Sequence, residues 1–343
     1  MTYARSSSVV QEVKFMIPRR LVLTFDVEDF INPNAISALR RILEILQKHE
    51  LKAIFFITGH MAEKISNYPQ IIEMLRNHEI GYHSSSHSVH PTIPEYTDVK
   101  SYKKAYEISI QRETSHIDPL TGKPEKEGGI HFLQNLFHPK TIQAFRTPGM
   151  CWTPPHLEAL NSLGIKYDFS TNLTFSEPVL FKGIAFYPYT VLQQWNGTTY
   201  DYQCLLSSIL RHKVTVFDLH PTLLVNQVEW DSIYYKGNPK TLSTVLQRPA
   251  KETALLFNKF GILIKRINIL RKAKLVKTDP LSNSPDKKLD IGNEQVYRCY
   301  ETSMRWPRKR FNYNPKFIRN HFYEFFESFQ QLLVNKVRNS CGS

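Results

Sequence analysis

The densest run of ionisable side chains is Thr24-Phe25-Asp26-Val27-Glu28-Asp29, with three carboxylates in four residues directly after an apolar run. Carboxylates this close repel one another unless a cation or an arginine compensates. Acidic residues also cap helices and make turns, so this cluster alone leaves both readings open. A second cluster, Gly81-Tyr82-His83-Ser84-Ser85-Ser86-His87, with His90 just beyond, sets two imidazoles at i and i+4. On one helical turn that spacing aims both rings at one ion, and the small serines leave room for it and for water. Two neutral imidazoles and one carboxylate make a three-ligand facial set with open positions. Zinc is the default occupant; cobalt, nickel, manganese and iron suit the same donors. Two more polar residues end apolar runs: Arg146 in Phe145-Arg146-Thr147-Pro148-Gly149 and His220 in Phe217-Asp218-Leu219-His220-Pro221. Arg146 is either a surface ion pair or a clamp on a catalytic carboxylate. His220 is either satisfied by a backbone carbonyl or a general acid or base.

These clusters need a scaffold that gathers distant segments, and the hydrophobic pattern supplies one. From about residue 21 to 276, short β-branched runs alternate with amphipathic stretches of helical period. Strands are expected at 21–25, 53–59, 79–83 and 141–148, within IKYDFS and IAFYPY, and at 214–220. Helices are expected at 36–49, 68–78, near 99–110, at 154–164 and around 251–270. The 154–164 segment opens with proline and closes with glycine, the asymmetry of helix ends. Repeated strand–helix order implies parallel strands covered by helices, as a doubly wound sheet or a barrel. Loops at the C-terminal strand ends then carry the chemistry, and the clusters fall there. Two stretches break the rhythm. Residues 118–129, rich in Pro, Gly and charge, are expected as an exposed loop, and 223–249 as an insertion after VTVFDLHP; both can shape specificity. The polar run 278–293 is the expected linker. Beyond it a helix is expected at 317–337, with Ile318, Phe322, Phe325, Phe326, Phe329 and Leu333 on one stripe. Such a stripe docks on its own domain or on a dimer partner, or touches a membrane surface.

The 343 residues are 41% hydrophobic and 22% charged, a globular composition that excludes disorder along the whole length. Cys151, Cys204, Cys299 and Cys341 lack CxxC spacing, which disfavours a disulfide framework and a cysteine zinc site and points to a reducing compartment. No signal-peptide core and no run of roughly 18 apolar residues is present, so a cytoplasmic protein without a transmembrane segment is expected. The net charge of +13 is uneven: from Gly261 onward there are 17 Lys/Arg against 7 Asp/Glu. That tail is either a solvated surface or an attraction for an anionic substrate, carrier or membrane surface, with nucleic acid disfavoured.

Taken in order, TFDVED, HSSSH, RTPG and LH resemble the motifs of the polysaccharide deacetylase family, also called the NodB-homology or carbohydrate esterase family 4 group. The resemblance spans roughly 20–276 and leaves 277–343 as a basic linker and aromatic helical extension. It implies an α/β fold, a distorted (β/α) barrel of about seven strands. It also implies metal-dependent hydrolysis of an amide C–N bond, above all N-deacetylation of an acetylated amino sugar or glycan, with a divalent cation as cofactor. Carried over residue by residue, Asp26 is the catalytic base, His83 and His87 are metal ligands, Arg146 orients the base and His220 is the general acid. Val27 stands where the family often has a ligand aspartate, so the third ligand is Glu28 or Asp29. Glu28 shares a strand face with Asp26, and Asp29 is reachable if the chain turns. Asp168 is the nearest candidate to tune His220. Backbone N–H groups near Gly149 and Met150 are expected to help hold the oxyanion, and Trp152 either lines the pocket as a sugar-stacking face or belongs to the core.

RTPG in place of RxPY is similar to the branch with allantoinase-like members. Hydrolysis of a small cyclic amide or ureide is therefore the first alternative. The second is a non-catalytic binder that uses the basic C-terminal region on an anionic partner. A pure binder gives no reason for Asp26, His83, His87, Arg146 and His220 to occur in this order.

Overall fold

The computed structural model describes residues 19–170, 178–188, 199–278, 281 and 292–326. The chain opens with β1 (Arg19–Val27), α1 (Ala35–Lys48), β2 (Ile54–Ile57), α2 (Gly59–Ile65), α3 (Pro69–Leu75) and β3 (Glu79–Tyr82). It continues through α4 (Ile93–Thr97), α5 (Tyr102–Glu113), a hairpin of β4 (Ser115–Ile117) and β5 (Pro124–Glu127), α6 (Gly129–Phe137) and β6 (Ala144–Phe145). Then follow α7 (Pro154–Ser162), β7 (Tyr167–Asp168), β8 (Val179–Phe181), β9 (Ile184–Phe186), α8 (Thr199–Arg211) and β10 (Val214–Leu219). The last elements are α9 (Ala250–Lys272), β11 (Val276–Lys277) and α10 (Asn293–Phe311).

The main sheet runs β10-β1-β2-β3-β6-β7-β9-β8, with β11 also beside β1; every pairing is parallel except β8 with β9. In a flat sheet, three strand spacings of about 4.8 Å would put β6 roughly 14 Å from β1, beyond the reach of an arginine. Yet Arg146, just past β6, hydrogen-bonds Thr24 and Asp26 of β1 and Asp218 of β10. The sheet is therefore curled on itself as a distorted α/β barrel. Among the described residues no ladder joins β8 or β9 back to β10, so the barrel stays open on that side.

The period-2 alternation of β1 separates two cores. Leu21, Leu23, Phe25 and Val27 face outward and pack with the apolar stripe of α1 in the larger core. Val22 faces inward with Ile54, Phe56, Ala144, Val214 and Val216. Each of the valine, leucine, isoleucine and phenylalanine side chains, when fully buried, contributes about 1.5–3 kcal/mol. Further along the same inward columns the residues turn polar: Thr24 and Asp26 on β1, Asp218 on β10, with Thr24 and Asp218 in register. Hydrophobic layers thus fill the barrel, and the polar layer lies at the strands' C-terminal ends.

Within the described residues the sequence-expected strands and helices are found, some displaced. The helix expected near 99–110 is α5, three residues later at each end, because Ser101 caps it by accepting the Lys104 N–H at 3.3 Å. Residues 118–129 are not simply a loop; they include β5, which pairs antiparallel with β4. That hairpin carries no apolar alternation, since β5 is exposed throughout. Much of 278–293 lies outside the described residues. The stripe residues Ile318, Phe322, Phe325 and Phe326 are buried in the main core, in a helical segment at 318–326, so the helix docks on the barrel. Phe329 and Leu333 lie outside the described residues. The whole of α10 went unforeseen: Pro307 interrupts it and five basic residues dilute its apolar face. Val296, Cys299, Tyr300 and Met304 nevertheless join the same core. The extension is packed on the barrel rather than hung from it. Among the described residues no helix is long and apolar enough to cross a membrane.

Candidate metal centre

Strand geometry sends Asp26 and Glu28 to the same side of the chain, two residues apart at the end of β1. Glu28 Oε2 lies 3.0 Å from His83 Nε2 and 2.8 Å from His87 Nε2, all three side chains being buried. The other carboxylate oxygen, Oε1, accepts the indole N–H of Trp230 at 2.8 Å. Asp29, the alternative third ligand, turns away because the chain bends there. Its oxygens accept from the backbone N–H groups of Ile31 and Asn32 and from the side-chain amides of Asn32 and Asn226. It serves as a turn cap and does not line the cavity. Val27 points outward into the helix-facing core, so no ligand could stand there.

The two histidines are not on a helical turn, as the spacing had suggested. They sit in the loop after β3, where Ser84 (φ 64°) and His87 (φ 48°) adopt left-handed backbone conformations that non-glycine residues rarely tolerate. Buried contacts hold that loop. Glu113 accepts the Ser85 backbone N–H at 2.8 Å together with Tyr82 Oη, Tyr96 Oη and His156 Nε2. His90 belongs to this scaffolding too, bonded to Glu95 and to the Tyr234 carbonyl.

The hydrogen bonds fix the ring tautomers. His83 Nδ1 lies 2.7 Å from the Arg146 carbonyl oxygen, which can only accept, so Nδ1 carries the proton. His87 Nδ1 lies 2.7 Å from Ser88 Oγ, whose own hydrogen goes to Asp231 Oδ2 at 2.7 Å, so Nδ1 again donates. Both Nε2 lone pairs are thereby turned toward Glu28. Two lone pairs and a carboxylate cannot meet at these distances without a positive charge among them, either extra protons on the rings or a cation. The electrostatics agree. Burial disfavours the charged form of Glu28, yet His87, His220 and the hydrogen bonds from His83 and His87 hold its pKa well below the ordinary carboxylate value. Burial likewise opposes a charged His87, but Glu28 above all raises its pKa. This donor set fits a divalent metal, which would replace those protons and be held by Glu28, His83 and His87.

A second group lies beside the first. Arg146, fully buried, donates through one terminal nitrogen to Asp26 at 2.8 Å and Asp218 at 2.5 Å, and through the other to Thr24 Oγ1 at 2.8 Å. Its guanidinium also stands over the Phe56 ring at 4.5 Å. Asp26 Oδ2 is 3.7 Å from both His83 Nε2 and His220 Nε2. Burial would lower the His220 pKa, but the carboxylates of Glu28, Asp218 and Asp26 raise it to about 9. His220 lines the cavity, and these carboxylates favour its imidazolium form. Its carboxylate neighbours are Asp26, at 3.7 Å, and Asp218 in the same cluster; Asp168 instead binds Ser170 N–H and Oγ and does not line the cavity. Strand parity explains the difference, since Asp218 shares an inward column with His220 whereas Asp168 sits on another strand.

The cavity bounded by these groups is about 140 Å³. Gly149 and Met150 line it, but the Met150 N–H is already donated to the Thr147 carbonyl at 3.0 Å, which removes it as an oxyanion donor. Trp152 does not reach the cavity; it packs against Phe186, Phe322, Phe325 and Phe326 and is a core residue. Sequence reasoning gave no role to several lining residues: Asp218 beside His220, Glu229 and Asp231 from the 223–249 insertion, and Trp306 and Arg310 from α10. Only the insertion's place after LHP gave any signal for the last four.

This arrangement is found in a chain whose resemblance to a known family holds. Residues 16–167 match the polysaccharide deacetylase family model. The match covers less than half of the chain and includes Asp26, Glu28, His83, His87 and Arg146. No curated protein matches in sequence. Among solved structures, the chain is similar to the catalytic domain of a peptidoglycan N-acetylglucosamine deacetylase from Eubacterium rectale, at 16% identity and TM-score 0.40, covering 80% of this chain and 94% of that one. It is also similar to a family 4 carbohydrate esterase from Bacillus anthracis, at 15% identity and TM-score 0.35, covering 76% and 80%. A CE4 family pseudoenzyme from Bacillus anthracis is similar at 16% identity and TM-score 0.36, covering 73% of this chain and 62% of that one.

Proposed function

We propose that this chain is a divalent-metal-dependent hydrolase that removes the acyl group, most simply acetyl, from the nitrogen of an acetylated amino sugar or glycan. The observation that carries the reading is the convergence of Glu28, His83 and His87 beside the Arg146-bound Asp26 and His220. The polysaccharide deacetylase match of residues 16–167 supports it.

Glu28, His83 and His87 would hold a divalent cation, zinc being the default, which when bound would supply Lewis acidity and lower the pKa of water from 15.7 toward about 7. Asp26 is the base that takes the proton from the attacking water; Arg146 fixes its carboxylate through Oδ1 and leaves Oδ2 toward the cavity. An amine leaves poorly unless protonated, and His220 as imidazolium stands across Asp26 to give that proton. Glu28, followed by Asp218 and Asp26, favours the charged form of His220. Thr24 and Phe56 hold Arg146, so the base stays in place when its charge changes. The reducing, cytoplasmic location expected from the cysteines is consistent with three separate thiols at Cys151, Cys204 and Cys299.

The test is metal analysis of the purified protein followed by an acetate-release screen on N-acetylated sugars. His83→Ala and Asp26→Asn should each abolish release with the thermal transition preserved, and full activity in either variant refutes the assignment. The small cavity keeps one other reading in play, a cyclic amide or ureide as substrate. Running small ureides in the same screen separates the two.

A further inference from the structure

The extension outside the family match builds part of the cavity wall. α10 reaches the cavity with two side chains one helical turn apart, Trp306 and Arg310. Trp306 lies flat against Gly149: a Cβ at that glycine would come within 2.4 Å of the indole, so only glycine permits the contact. Arg310 pairs with Glu229 and stands 3.6 Å from Asp231 on the insertion, while its guanidinium also covers Trp306 at 5.6 Å and Tyr235 at 4.9 Å. The helix therefore spans from the RTPG loop to the insertion. Both segments line the cavity, so α10 joins two parts of its wall.

This bridge is anchored at several points. Val296, Cys299, Tyr300 and Met304 bury the opposite face of α10 in the main core. Phe311 packs edge-on to Trp306 at 4.5 Å. Beyond the helix, Asp98 accepts Tyr313 Oη at 2.5 Å and the backbone N–H groups of Lys316, Phe317 and Ile318. The chain is tied to the barrel both before and after Trp306 and Arg310. The Trp306 ring faces inward, 6.4 Å from the His87 ring and edge-on to it.

We propose that α10 closes the cavity into a blind pocket that accepts only a terminal or single acylamino sugar, and that Trp306 is the surface on which that sugar ring rests. This rests on the deacetylase reading and narrows it. A polymer running through the site would have to pass where α10 joins the two parts of the wall. A chain end needs only the cavity beside the ligand cluster. An indole beside the ligand cluster offers the apolar face of a sugar ring a flat partner, and the carboxylates and guanidinium around it suit hydroxyl groups.

The test uses the metal-loaded full chain and reducing-end-labelled β-1,4 oligomers of N-acetylglucosamine, one to five units long, read by mass spectrometry. One acetyl group should be lost per chain, always from an end unit, with a rate that does not climb with length. Trp306→Ala should raise KM for the monosaccharide roughly tenfold, equivalent to one decade of affinity, with little change in kcat, and should begin to remove internal acetyl groups. Trp306→Phe, which keeps the packing on Gly149, should preserve the thermal transition and lose the change in tryptophan emission that N-acetylglucosamine produces in the wild type. Loss of internal acetyl groups from wild type at the terminal rate overturns the proposal while leaving the deacetylase reading intact. Unchanged KM and product pattern in Trp306→Ala also overturn it. Absence of acetate from every substrate refutes the deacetylase reading itself, and the proposal with it.

Discussion

Replacing Arg146 with methionine tests the centre of the site most directly. The guanidinium is fully buried and is the shared partner of Asp26 and Asp218. Removing one partner from a buried charge pair typically costs about 3–5 kcal/mol, because the remaining charge is left without compensation. At about 2–4 °C per kcal/mol for larger domains, the thermal midpoint should fall by on the order of 10 °C. Part of that loss should return when Asp218→Asn is added, since one of the two stranded carboxylates is then neutral. A coupling of about 2 kcal/mol between the two sites is expected, within the range for directly bonded residues. The pH dependence has a defined sign. Burial, followed by Asp26, already raises the Asp218 pKa against the opposing influence of Arg146, so losing Arg146 raises it further. A group with a raised folded-state pKa loses stability as pH climbs through that value, so the cost of Arg146→Met shrinks toward acidic pH. Because Asp26 loses its orienting partner, acetate release should drop at least about 100-fold, the lower bound for loss of a positioned base. Urea titrations of wild type, both single variants and the double variant at several pH values, with acetate assays alongside, measure all of this. A cost below about 1 kcal/mol with no coupling would show that the buried cluster is not held by this arginine.

Other expectations are simpler to check. Glu28→Gln and His87→Ala should each lower metal affinity by orders of magnitude, as read by competition with a chromophoric chelator, while Asp29→Asn should not. Burial above all holds His60 and His78 down to about 4, well under the ordinary 6.5. Groups depressed in the folded state contribute stability above 6.5 that is lost as pH falls toward 4, by up to about 3 kcal/mol each. Urea midpoints measured across that window should fall steeply, and a flat profile would contradict the burial argument. Trp152→Ala should destabilise by about 3–5 kcal/mol as a core cavity, without a separate effect on KM in whatever folded protein remains. Asp218→Asn should harm acetate release more than Asp168→Asn, the reverse of what the sequence suggested.

The sequence by itself determined a great deal. The alternation of apolar runs required parallel strands under helices, and the period of two along β1 required Asp26 and Glu28 to share a side. Ordered motifs named Asp26, His83, His87, Arg146 and His220 before any of them could be placed in space. Local chemistry was enough for these because each follows an apolar run that can only be a strand, and strand ends are where such a barrel opens. Tertiary structure decided what local chemistry could not. It brought Glu28 rather than Asp29 against His83 and His87, because the chain turns after β1 and Asp29 is consumed in capping that turn. It set His220 beside Asp26 and Asp218, and it held the HSSSH loop through Glu113, a residue with no motif of its own. Above all it brought Trp306 and Arg310 to the cavity from far along the chain. No periodicity records that contact, because it depends on the buried face of α10 meeting the barrel and on a glycine small enough to receive an indole.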